Sequence, residues 1–181
     1  MIRNRQHDEQ LWRHCLAAVE REYRALDSRE QGWIVERLLR IAVLQQQLDE
    51  LFVAAGGPAV CRRCLGGCCA RGKNHFTLVN LLAFLSVGRQ PPVPDFRKTC
   101  PFLGDRGCLL EAARRPYNCV TFICEQVLDS LGSEGSGRFQ CLEQELRSLY
   151  LAFDDRYAGS SLRGLFIRAE RLDGRPFLAP W

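Results

Sequence analysis

The sequence predicts a mainly α-helical protein wrapped around an irregular, cysteine-rich metal core. Three observations lead there. Apolar residues recur at helical spacing over the N-terminal third and again over 137–157. Eight of the ten cysteines fall between positions 61 and 124. The stretch holding them is rich in glycine and proline and leaves room for one short helix and a tight β-hairpin. Three segments follow: a helical hairpin over 1–57, a cysteine-rich metal-chelating core over 58–126, and a helical segment over 127–181 whose helix packs on that core. They read as one compact unit.

In the first helix Trp12, Leu16, Val19, Tyr23 and Leu26 form one apolar stripe. The chain breaks at Asp27-Ser28, and Ser28 with Gln31 three residues on fits a capping box that starts a second helix. Ile34, Leu38, Ile41, Leu44, Leu48 and Leu51 continue the stripe until Gly56-Gly57-Pro58 ends it. Such a pair serves either as half of a core or as a docking surface for another protein; the core reading is the simpler. Thr77 is the expected N-cap of the short helix and Gly88 its stop. Gly104-Asp105-Arg106-Gly107 suits a tight hairpin turn. A further helix over 137–157 points Phe139, Leu142, Leu146, Leu149 and Phe153 inward, and the tail reads as a short helix ending at Asp173-Gly174.

Composition narrows the function. An apolar content of 46% supports a core without covalent staples. The N-terminus mixes both charge signs and does not read as a secretory signal. The run LLAFLSV over 81–87 is too short to cross a bilayer. The expectation is therefore a cytoplasmic protein with no membrane partner, in a reducing compartment where clustered thiols bind metal or carry redox chemistry rather than form a disulfide framework.

The net charge of +4 is unevenly spread. Residues 1–55 hold 8 basic and 9 acidic side chains, residues 56–126 hold 10 and 4, and residues 127–181 hold 7 and 8. The excess thus lies in the cysteine segment, on Arg62, Arg63, Arg71, Lys73, Arg89, Arg97, Lys98, Arg106, Arg114 and Arg115. A nucleic-acid patch is one reading. Neutralisation of bound thiolates is the stronger one, because eight of them bring a charge that two divalent ions only halve.

The cysteines run C-x2-C-x3-C-C (Cys61, Cys64, Cys68, Cys69) and then C-x7-C-x10-C-x4-C (Cys100, Cys108, Cys119, Cys124). A C-x2-C knuckle turns two sulfurs toward one ion. Adjacent side chains diverge, so Cys68 and Cys69 point to two ions, or to one cluster plus a separate thiol. Eight thiols match two four-cysteine sites, with the pairing left open. Four also hold an iron–sulfur cluster, and Pro101 after Cys100 is a step common beside such clusters. Zinc and an iron–sulfur cluster both remain as cofactors.

The first cysteine group, with CPFL at 100–103, the next cysteine and RPYNCVTFIC at 115–124, resembles the YkgJ-type cysteine-cluster family. Those proteins are described as zinc- or iron-chelating, and the flagellin lysine N-methylases resemble them in the same cysteine pattern. The resemblance covers about a third of the chain and implies a metal-bound cysteine core, iron–sulfur in several members. Val120 stands where the family places a basic residue, so an anion-binding role is not carried over to it. No Gly-rich nucleotide loop follows a strand here, which argues against a complete methylase.

Other residues read more plainly. Cys15 lies beside the first stripe and Cys141 beside Leu142, both as small core residues. His75 is a reserve ligand, outweighed by eight thiols, while His7 and His14 read as solvated. Phe102 and Phe122 flank expected ligands and either shield a cluster or belong to the core. Arg115-Pro116 ends one element and opens the next, which presents Cys119. No acid–base pair or Ser/His/Asp set is evident. Three function classes follow: a metal-binding module acting through a protein partner, an iron–sulfur enzyme or electron carrier linked to protein modification, and a thiol redox sensor built on Cys68 and Cys69.

Overall fold

The computed structural model describes residues 5–64, 67, 69–105 and 107–179. Cys68 and Arg106 lie outside the described residues, and with Cys68 so do the expected divergence of the Cys68-Cys69 doublet and the redox sensor built on it.

The described residues form eight α-helices and one two-stranded antiparallel hairpin. Helices α1 (Arg5–Ala25) and α2 (Ser28–Ala54) come first, joined by two residues. The cap between them is Asp27 rather than Ser28: its carboxylate accepts the Glu30 N–H at 2.8 Å. Gln31 instead donates its amide back to the carbonyls of Tyr23 and Leu26, closing the end of α1. The buried face of α1 holds Trp12, Cys15, Ala18 and Val19, and that of α2 holds Ile34, Leu38, Ile41, Leu44 and Leu48. Each helix finds its main partner far along the chain. Helix α1 lies on α4 and α8, and α2 lies against α7.

Helix α4 (Leu78–Leu85) explains this arrangement. Seven of its eight residues are buried, and its apolar side chains point in every direction. Such a helix has to be covered on several sides, and α1 and α2 both pack on it. Thr77 starts it as expected, and Asn80 completes the cap: Asn80 Oδ1 accepts from the Thr77 N–H at 3.0 Å and from its hydroxyl at 2.9 Å. Gly88 follows its end at φ +68°, a left-handed conformation that glycine adopts without strain.

Strands β1 (Leu103–Gly104) and β2 (Gly107–Cys108) pair Leu103 with Cys108 and Gly104 with Gly107, the hairpin that the turn residues predict. The long C-terminal helix α7 (Gly132–Arg156) starts five residues earlier than the apolar pattern does. It buries Phe139, Leu146, Tyr150 and Phe153, while Cys141 is exposed. The core reading of Cys141 is therefore corrected. That of Cys15, fully buried with its thiol pushed up to about 12 by burial, stands. Helix α8 (Leu165–Leu172) ends at Asp173 and Gly174, both at positive φ. One connected apolar core contains residues of all three sequence segments. No described helix is long and apolar enough to cross a membrane.

Candidate functional site

The cysteines are carried by short elements set around this core. Cys61 lies on α3 (Gly57–Arg63), which Pro58 helps to start, and Cys64 caps its end. The expected knuckle is thus the last turn of a helix. Cys124 is the N-cap of α6 (Glu125–Ser130), and α3 packs against α6. Cys69 opens a 3₁₀ turn, Cys69–Asn74, and Cys119 lies on α5 (Tyr117–Thr121). Cys100 precedes the hairpin, and Cys108 lies on its second strand.

Aromatic packing sets two of these pieces side by side. Trp12 of α1 meets Phe76 edge-on at 5.2 Å and Phe102 at 5.8 Å, and Phe76 lies 5.0 Å from Phe102. Phe76 follows His75, and Phe102 comes two residues after Cys100, so this cluster brings the 3₁₀ turn against the Cys100 loop. The approach is close: a Cβ on the buried Gly72 would lie 2.9 Å from Cys100 Sγ, so the cysteine side chain would have to shift.

Polar bonds hold the third piece. The Arg115 carbonyl, just ahead of α5, accepts amide N–H groups from Gln45 at 2.8 Å and Asn80 at 3.0 Å. Its guanidinium pairs with Asp49 of α2 at 2.8 Å. Tyr117 packs on Tyr150 at 5.3 Å and donates its hydroxyl to Glu143. Arg115-Pro116 thus joins the Ala112–Arg114 turn to α5 and fixes where Cys119 emerges.

These placements bring three predicted ligands, Cys69, Cys100 and Cys108, into electrostatic reach of a fourth, Cys119. Cys119 is exposed by surface area, yet the protein packed around its thiol desolvates it and raises its pKa most; charge on Cys108, Cys100 and Cys69 raises it further, while Arg115 opposes the rise. At Cys100 burial again comes first; the Phe102 N–H opposes it, charge on Cys108 adds to it, and the Leu103 N–H opposes it. Backbone N–H groups two and three residues after a cysteine stabilise its thiolate, the ligating form. His75 Nδ1 lies 3.4 Å from Cys119 Sγ, and burial lowers its pKa, favouring the neutral imidazole that ligates metal. The donor set therefore suits a thiophilic ion, although among the described residues no three His, Cys, Asp or Glu side chains stand in ligating geometry together.

No family model, no curated protein and no solved structure matches this chain.

The remaining candidates divide clearly. Phe102 is buried, whereas Phe122 is 62% exposed, so only the first belongs to the core. Val120 faces the core at 8% exposure, which accounts for an apolar residue there. Several of the basic residues have local partners. Arg97 holds Asp95, Arg89 and Arg114 hold Glu111, and Lys98 bonds the Leu103 carbonyl. His7 and His14 are exposed, as expected. The residues that sequence reasoning undervalued are His75, Gly72 and Asn80, whose roles depend on partners distant in the chain.

Proposed function

We propose that this chain chelates metal through the cysteines of residues 61–124, either as zinc ions or as an iron–sulfur cluster. The observation that carries the reading is the 3.4 Å contact of His75 Nδ1 with Cys119 Sγ, supported by the electrostatic reach of Cys69, Cys100 and Cys108 to Cys119. Cys61, Cys64 and Cys124, on the packed helices α3 and α6, supply further thiols, and Cys68 completes the eight. The resemblance of the cysteine order to the YkgJ-type family supports the same reading. A reducing, cytoplasmic setting suits the thiols. Exposed Phe122 and Leu128, next to thiol-bearing α5 and α6, suit contact with a protein partner.

The deciding experiment is elemental analysis with an absorption spectrum, on protein purified without oxygen. Stoichiometric zinc without visible colour identifies a zinc module. Iron with acid-labile sulfide and a brown chromophore identifies the cluster, and with it the enzyme or electron-carrier reading. A folded, reduced protein that neither contains metal nor takes it up would overturn chelation.

A further inference from the structure

We propose that His75 is itself a metal ligand, binding through Nδ1 the same ion as Cys119, so that this part of the thiol group is a single-ion site of mixed nitrogen and sulfur donors. The inference rests on the metal-binding reading above and goes beyond it, since it adds a ligand and specifies the kind of site.

The carrying observation is a distance. A tetrahedral zinc ion lies about 2.0–2.1 Å from an imidazole nitrogen and about 2.3 Å from a thiolate, which puts two such ligands roughly 3.5 Å apart. His75 Nδ1 and Cys119 Sγ are 3.4 Å apart. Cysteines on different irons of a cluster are held much further apart by the bridging sulfides between them. The pair is therefore spaced as two ligands of one metal atom are, and Cys69, Cys100 and Cys108 lie within electrostatic reach of Cys119.

The backbone that carries the ring is held in place from both sides. The His75 backbone N–H donates to the Gly72 carbonyl at 3.1 Å. Phe76, the next residue, is locked among Trp12 and Phe102, and its carbonyl accepts the Leu165 N–H at 2.7 Å. Cys119 is held through Arg115 and Tyr117, and Asn80 bonds both Thr77 and the Arg115 carbonyl. Two side chains 44 positions apart are thus set against each other by the core, as a ligand pair requires. With Nδ1 on the ion, Nε2 carries the remaining proton.

The test uses the full chain loaded with ¹¹³Cd under reducing conditions, since each ion gives its own resonance and nitrogen in place of sulfur moves it upfield. Wild-type protein should show one resonance in the mixed nitrogen–sulfur range, coupled to the ¹⁵N of His75. In His75→Cys that resonance should move to the all-sulfur position, with the other signals unchanged. His75→Ala should weaken zinc at one site by at least about tenfold, the lower bound seen for even outer-shell partners. Circular dichroism of each variant establishes that it is folded. Identical cadmium spectra for wild type and His75→Cys would overturn the ligand assignment and leave chelation standing, the 3.4 Å contact then being a hydrogen bond only. A wild-type chain that binds neither cadmium nor zinc would overturn chelation itself.

Discussion

Gly164 and Asn74 meet backbone to backbone: a Cβ on Gly164 would lie 2.3 Å from the Asn74 carbonyl oxygen. No side chain can relieve such an overlap by rotating, so one of the two segments has to move. The contact joins the start of α8 to the residue before His75. Gly164→Ala should destabilise the fold by about 1–3 kcal/mol, the usual cost of forced overpacking. Urea unfolding measures this, and an unchanged midpoint would mean that the two segments are not in contact.

Asn80 is nearly fully buried and bonds at both ends of its side chain. It caps α4 through Oδ1 and supports the Arg115 carbonyl through Nδ2. Asn80→Ala removes the cap and one of two donors to that carbonyl. A loss of about 2–3 kcal/mol is expected from the cap and the buried bonds together, read again from urea unfolding.

Glu30, in the first turn of α2, accepts from Arg156 and Tyr157 at the end of α7, while Arg156 lies 4.4 Å from the Trp33 ring centroid. The Arg156 hydrogen bond is the main cause that holds the Glu30 carboxyl below its ordinary 4.5, against the opposing effect of burial. A depressed folded value means that the stabilisation is complete above 4.5 and disappears as pH falls through the lower folded value. Glu30→Gln should therefore cost about 1–2 kcal/mol at neutral pH, and the gap from wild type should close on acidification below 4.5. A gap that stays constant with pH would assign the loss to packing instead.

The two cysteines outside the cluster should differ sharply toward an alkylating reagent. Cys141 is exposed, while Cys15 is fully buried with its thiol raised to about 12. Peptide mass spectrometry should find Cys141 labelled at once and Cys15 labelled only on unfolding. Rapid labelling of Cys15 in folded protein would contradict the packing of α1.

What the sequence made legible was local. The α1 stripe, the Thr77 cap, the hairpin between Gly104 and Gly107 and the stop at Asp173-Gly174 each depend on residues a few positions apart. Asp27 and Ser28 both suit a cap, and the Glu30 N–H on the Asp27 carboxylate, with the return of the Gln31 amide to α1, separates them. Cys141 lies two positions after Phe139, about 200° around the helix, so proximity to Leu142 was a poor guide to burial. The central place of α4 was hidden because a short run that is apolar but for Asn80 has no face to read. At the site, the cysteine spacing marked the thiols, while His75 became prominent only when the fold set it against Cys119.

Gln45, fully buried on α2, gives one amide to both the Arg115 carbonyl and the Tyr150 hydroxyl, tying the cysteine segment and the C-terminal helix to a single side chain. The consequence concerns exchange between proteins. A cysteine segment anchored this way is no cassette: grafted onto another scaffold, it would arrive without the amide that seats its last thiols.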